Sequence, residues 1–291
     1  MRSTPNVCAV VVTYRPDESI AANLAALRPQ VDGVVIVDNA SPAEIQPLLR
    51  QVAADNSATL ICNPENFGLA RALNQGIRHA EEHGYDWVVI FDQDSTVGEN
   101  YIETIMRVYE NSPDAERIAI VSPQFMDRKS GETIHCTLYH KGEPLCTMAS
   151  GSLVRTETYR RIGYHEEDLF TYYVDTEWCL RARRMGMVVR ESPDATLLHS
   201  LGDLTYHRLF CHNIPVTNHS VGRRYYIERN RWHLYLSGKY EWAWVIRDFY
   251  WDVTSFFAIL LYEENRWPKM KSIVLGFCDA WRGRMNKRVD P

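Results

Sequence analysis

Four short apolar runs alternate with amphipathic stretches over residues 7–91, and few folds accommodate such a text. Val7–Val12 is continuously apolar and rich in valine, the pattern of a strand buried on both faces. Pro16 and Asp17 then open a helix whose Ile20, Leu24 and Leu27 recur three or four residues apart. Val34–Val37 reads as a second strand and Thr59–Cys62 as a third, with a helix lined by Ile45, Leu48 and Leu49 between them. Leu69–Ala80 reads as a helix and Trp87–Phe91 as a fourth strand. Such alternation predicts an α/β fold with a mostly parallel sheet and right-handed crossovers. Ligands of these sheets bind beyond the carboxyl ends of the strands. The polar clusters Thr13-Tyr14, Asp38-Asn39 and Asp92-Gln93-Asp94 stand at those ends.

After Ile118 the pattern becomes mixed, with short apolar runs at Ile118–Val121, Met148–Val154 and Met187–Val189. From Val221 onward it is helical and crowded with tryptophan, tyrosine and phenylalanine. We therefore expect a catalytic unit over residues 1–220, with a nucleotide half to about 117 and an acceptor half beyond it, and a helical region over 221–291. A formal net charge of -5 speaks against a nucleic-acid binder. Seven scattered cysteines without a Cys-x-x-Cys pair suggest neither a disulfide framework nor a zinc ribbon. The polar Met1–Asn6 stretch reads as no signal peptide, and no apolar run reaches transmembrane length, so a cytoplasmic location is expected.

The chemistry-bearing residues follow. Two carboxylates flanking one residue at a strand end, Asp92 and Asp94, suit a hard divalent cation such as Mg²⁺ or Mn²⁺. The bland alternative is a cap cluster for the next helix. Asp38 can accept from the imide N–H of a base, or simply order a turn. Gly68 precedes a helix, so backbone N–H groups there, with Arg71, suit phosphates; a tight turn around Asn66 is the alternative. Asp175, on a loop entering a helix, can act as a general base, or can favour a helix dipole together with Glu177. His199 follows the apolar Thr196-Leu197-Leu198. The spacing of His199, His207, His212 and His219 around Cys211 matches no zinc pattern.

These segments together resemble family 2 glycosyltransferases, and most closely their rhamnosyltransferase branch. The resemblance is carried by Val11–Pro16, Val37–Ser41, Asn66–Gly76, Phe91–Ser95, Ser150-Gly151-Ser152, Tyr173–Arg181 and His199–Gly202, with a looser match at Arg223–Tyr226 and Arg229-Asn230. It implies a GT-A fold, with Thr13, Asp38, Asn66 and Asp92 on the nucleoside, Asp94 and His199 on the metal, and Asp175 as catalytic base. The full candidate donor site is Thr13, Tyr14, Arg15, Asp38, Asn39, Asn66, Gly68, Arg71, Asn74, Asp92, Gln93 and Gly151, with Asp92 also counted among the metal ligands. Many family 2 enzymes carry Glu-Asp where this chain has Val174-Asp175, a departure that fits the rhamnosyl branch.

The resemblance further implies an inverting transfer from dTDP-β-L-rhamnose to a bacterial surface glycan, either lipopolysaccharide core or a lipid-linked oligosaccharide. The aromatic and basic C-terminal text suits either contact with the inner face of the cytoplasmic membrane or a buried helical cap. A homo-oligomer is compatible with the same text. Three other readings compete. A family 2 transferase using a UDP-sugar releases a different nucleotide. A non-catalytic sugar-nucleotide scaffold needs no base at Asp175. A nucleotidyltransferase carries a glycine-rich loop where this chain has Thr13–Pro16.

Overall fold

The computed structural model describes residues 6–128, 131–134, 137–199, 205–209 and 212–291. Its first elements are β1 (Val7–Thr13), α1 (Ser19–Leu27), β2 (Gly33–Asp38), α2 (Gln46–Asp55), β3 (Thr59–Cys62), α3 (Leu69–Glu82), β4 (Trp87–Asp92) and β5 (Thr96–Val97). Then come α4 (Tyr101–Asn111), β6 (Ile118–Asp127), β7 (Leu138–His140), β8 (Glu143–Cys146), β9 (Leu153–Arg155), α5 (Thr156–Ile162), α6 (Val174–Arg184) and β10 (Val188–His199). The chain ends with β11 (Thr205–Leu209), β12 (His212–Val216), α7 (Val221–Ser237), α8 (Trp242–Tyr262) and α9 (Arg266–Trp281).

Two compact units form. The first runs to Glu166 and resumes at Asp175 through β10. Its eight-stranded sheet has the order β3-β2-β1-β4-β9-β6-β10-β5. β1 pairs in parallel with β2 and β4, and β10 in parallel with β6, while β9 and β5 run antiparallel to their neighbours. This is the GT-A-like arrangement of a mostly parallel sheet flanked by helices. Every residue of β1 is buried, as its unbroken apolar text requires. Ile20, Leu24 and Leu27 of α1 face the core, confirming the helical spacing read from the sequence.

The Asn66–Gly76 segment has a packing reason at its far end. A Cβ on Gly76 would lie 2.3 Å from Val10 Cγ1, so only glycine lets α3 seat against β1. Gly76→Ala is expected to cost about 1–3 kcal/mol through overpacking. A lowered midpoint in urea unfolding measures it, and an unchanged midpoint would mean that Val10 yields freely.

The second unit takes Glu167–Val174 with β11, β12 and α7–α9. Its interior is unusually polar. Arg231 is buried and paired with Glu228 at 2.9 Å, Asp248 at 3.0 Å and Asp252 at 2.5 Å. Arg229 donates to the carbonyls of Leu169 and Asn286, and Asn230 donates to those of Leu169, Thr171 and Tyr172. These donors hold Phe170, Tyr172 and Tyr173 at φ values of 64, 59 and 61°, the left-handed region that bulky side chains avoid. Glycine at position 276 allows close approach of α9 to α7: a Cβ there would lie 2.7 Å from the Tyr225 carbonyl oxygen.

Candidate active site

The strand ends converge as the topology demands. In the registers of β1 with its neighbours, Thr13 lies beside Asp38 and Val12 beside Asp92. The last pair of β10 residues to meet β5 are Leu197 with Val97 and Leu198 with Thr96. Because β5 starts two residues after Asp94, this antiparallel pairing draws His199 onto the Asp92-Gln93-Asp94 turn. A register shift between Ser192 and Thr196 inserts a bulge in β10 upstream of that approach. One ligand atom each from Asp92, Asp94 and His199 lies within 4.8 Å of the others. Nδ1 of His199 is buried without a hydrogen-bond partner and stands 3.8 Å from Oδ1 of Asp94. An orphaned imidazole nitrogen facing two carboxylates is a donor set that fits a divalent cation. Ser200–Gly202 of the motif containing His199 lie outside the described residues, as does Cys211.

Asp175 opens α6 in the same unit. Its Oδ1 accepts from the Thr176 N–H at 2.8 Å and its Oδ2 from the Ala149 N–H at 3.3 Å. Burial pushes this carboxyl above the usual aspartate range, and the backbone donors of Thr176 and Ala149 pull it partly back. Burial also raises Asp92; the His199 imidazole opposes that shift, while the charges of Asp94 and Asp175 add to it. The acids therefore share one field. Glu177, by contrast, is buried in a two-pronged ion pair with Arg181.

The 149–151 segment ties Asp175 to the Asp92-Gln93-Asp94 turn. Ala149 holds Asp175, Ser150 Oγ accepts from the Asp92 N–H at 3.2 Å and meets Ser95 Oγ at 2.8 Å, and the Gly151 N–H donates to the Ile90 carbonyl at 2.6 Å. Gly151 has φ 74°, and a Cβ would lie 2.5 Å from the Tyr101 hydroxyl, so its part is to let this crossing close. Ser150 belongs to the Ser150-Gly151-Ser152 motif but not to the candidate donor site that the sequence marks. Its signal, a serine before a glycine, becomes meaningful only once β9 is seen beside β4.

On the nucleotide side, the residues separate into two groups. Asn39 and Asn66 are joined at 2.9 Å, and Asn39 Oδ1 also accepts from the Phe67 N–H, which orders the loop before α3. Gly68 has φ 87°, its N–H donates to Asn66 Oδ1 at 2.9 Å, and no side chain caps the α3 start. Arg71 is exposed in that first turn with its guanidinium 4.0 Å from the Phe67 ring centre. Tyr14 is exposed, its N–H bound to Gln93 Oε1, and Arg15 lies over the Tyr14 ring.

Asp38 and Asn74 are both engaged by hydrogen bonds within the protein. The buried Asp38 carboxylate accepts from Thr13 Oγ1, the Ser41 hydroxyl and N–H, and Gln46 Nε2. Those donors fill its acceptor capacity, so a base N–H would have to displace Gln46. Asn74 is buried, with its amide bonded both ways to the backbone of His165, 91 residues on. Those two bonds pin α3 to the His165 backbone. Arg128 joins the turn from outside the candidate residues: its guanidinium binds the Asp94 carbonyl and Thr96 Oγ1, and its N–H donates to the His199 carbonyl at 3.1 Å. No local signal marks it, because the pairing of β6 with β10 brings it there.

The comparisons with known proteins fit this geometry. The dTDP-rhamnosyl transferase RfbF of Shigella flexneri is 32% identical over 297 residues, covering 96% of each chain. The galactofuranosyltransferase GlfT1 of Mycobacterium tuberculosis H37Rv is 26% identical over 78% of this chain and 81% of its own. Among solved structures, the mannosyltransferase PcManGT from Pyrobaculum calidifontis, in complex with GDP-Man and Mn²⁺, superposes with a TM-score of 0.58 at 17% identity, covering 96% of this chain and 76% of that one. S. aureus TarS 1-349 in complex with UDP-GlcNAc superposes with a TM-score of 0.54 at 14% identity, covering 96% and 73%. At those identities the structures speak for the fold alone. The model of Glycosyl transferase family 2 matches residues 8–168, and with the sequence relationship across nearly the whole chain it follows that this protein belongs to glycosyl transferase family 2 and is a glycosyltransferase.

Proposed function

We propose that the chain transfers L-rhamnose from dTDP-β-L-rhamnose, with inversion, to a hydroxyl of a bacterial surface glycan, either lipopolysaccharide core or a lipid-linked oligosaccharide. The observation that carries the mechanism is the pairing of one aspartate, Asp175, with a separate Asp92-Asp94-His199 set in one unit. The donor specificity is supported by the 32% identity to the Shigella flexneri rhamnosyl transferase.

In this reading Tyr14, Arg15, Asn39, Asn66, Gly68, Arg71 and Gln93 receive the nucleotide. Thr13, Asp38, Asn74 and Gly151 hold the loops that do so. Asp94, His199 and Asp92 would hold Mn²⁺ or Mg²⁺, and the imidazole leans the set toward Mn²⁺. That ion would neutralise the charge growing on the departing nucleoside diphosphate. Asp175 takes the proton from the acceptor hydroxyl. The hydroxyl oxygen then forms the new bond to the anomeric carbon as the bond to the diphosphate breaks on the opposite side, which inverts the centre. The pH at which this base works is set by its burial. We place the enzyme on the cytoplasmic side, where sugar nucleotides are made.

The test is donor turnover by the purified chain with dTDP-rhamnose, UDP-sugars and GDP-sugars, each with Mn²⁺, Mg²⁺ or chelator. Release of dTDP that stops with chelator supports the proposal. Metal-dependent release of UDP alone keeps the mechanism and overturns the rhamnose assignment. If no sugar nucleotide binds at all, the scaffold and transferase readings both fail.

A further inference from the structure

The two last helices are built inside out. On α8, Trp242, Ile246, Phe249, Val253, Phe257 and Leu261 are all exposed, and their spacings of four or three residues place them on one face. That stripe is about 28 Å long at 1.5 Å per residue. The opposite face buries Trp244, Ala258 and Ile259, but also Asp248, which with Asp252 binds Arg231. α9 repeats the pattern: Trp267, Val274 and Trp281 recur every seventh residue and are exposed by 72, 61 and 68%. Lys269, Ser272 and Asp279 of α9 are buried, Lys269 against Glu263 at 2.7 Å and Asp279 against the Tyr225 hydroxyl.

A helix in water keeps charge outside and apolar residues inside. Here the unit's ion pairs are enclosed while a row of large apolar side chains on each helix faces outward, which calls for an apolar medium on the outer side. No helix among the described residues is long and apolar enough to cross a membrane, so that medium is met along the helix and not through it. Tryptophan and tyrosine prefer the depth of lipid headgroups.

Charge selects the occupant. From Trp242 onward the exposed charged residues are basic by seven to two, the acids being Glu264 and Asp290, although the whole chain carries -5. Arg266 and Lys271 lie on α9, and Arg282, Arg284, Lys287 and Arg288 follow it. A second copy seated on this face would bring the same basic surplus against itself. A surface of anionic lipid headgroups over acyl chains satisfies both the stripe and the charge.

We propose that α8 and α9 form a membrane-docking face that lies in the headgroup layer of an anionic bilayer. The inference is independent of the donor and acceptor assigned above. Co-sedimentation of the full chain with phosphatidylglycerol/phosphatidylethanolamine vesicles and with phosphatidylcholine vesicles tests it. The native chain should pellet with the anionic vesicles and much less with the neutral ones. The double variant Ile246→Glu/Phe257→Glu should partition at least about tenfold less. Because both positions are exposed, its thermal unfolding should match the native protein, which separates lost docking from lost fold. Arg282→Glu/Arg284→Glu should also weaken binding, and added salt should mimic it. The proposal is overturned if the native chain stays in the supernatant with anionic vesicles. It is equally overturned if light scattering shows a concentration-dependent oligomer that Ile246→Glu/Phe257→Glu abolishes while vesicle binding is untouched. Equal binding to both vesicle types would overturn the anionic specification.

Discussion

Asp175→Asn is expected to lower kcat for sugar transfer by about 10²–10⁴-fold, the range a positioned general base supplies. Donor affinity should stay where it was, because the substitution removes proton acceptance and keeps shape. The amide oxygen can still accept from the Thr176 N–H, the shorter of the two backbone contacts at 2.8 Å. The Ala149 N–H at 3.3 Å then loses its acceptor, a loss worth about 1 kcal/mol of stability and not enough to unfold the chain. Burial raises the Asp175 carboxyl, so it protonates at a higher pH than a free aspartate. Only the ionised form takes a proton, so native kcat should fall as pH is lowered through that raised value. Whatever activity Asp175→Asn retains should lack that acidic limb. Stopped-assay kcat against pH for both proteins, with donor binding measured by calorimetry, decides the matter. Transfer by Asp175→Asn at the native rate would remove Asp175 from the mechanism.

Asp94→Ala should produce the second large effect, a loss of at least about 100-fold in kcat/KM. It removes one carboxylate from the three-residue donor set and leaves His199 Nδ1, already without a hydrogen-bond partner, with Asp92 as the one remaining carboxylate of that set. The signature that separates a ligand from a structural residue is metal dependence. Native donor binding should tighten with Mn²⁺ and relax with chelator, whereas Asp94→Ala should bind donor weakly and respond to neither. Thermal unfolding without metal should be similar in both proteins, since Asp94 is partly exposed and its backbone carbonyl, not its side chain, holds Arg128. A variant that still tightened on the donor with Mn²⁺ would shift the site onto other residues.

Much of this protein was legible before any coordinates. The buried text of β1 and the three- and four-residue spacing in α1 and α3 specify local structure, because strand and helix periodicities act over a few residues. Right-handed crossovers then force Thr13, Asp38 and Asp92 to neighbouring strand ends, so the place of the site follows from the order of elements. Tertiary pairing decided the rest. Arg128 and His199 reach the Asp92-Gln93-Asp94 turn only because β6 pairs with β10 and β10 with β5. Asp38 and Asn74 look like ligand residues in the text, yet their partners Gln46 and His165 occupy them, and hydrogen-bond satisfaction cannot be read from spacing. The C-terminal aromatics are the plainest case. Composition alone allowed a buried cap or a membrane face, whereas Trp242, Trp267 and Trp281 turn outward because α8 and α9 spend their inner faces on the charges of Arg231, Glu263 and their partners. Which face of a helix is inside is settled by what it packs against, and that information is stored in residues far away along the chain.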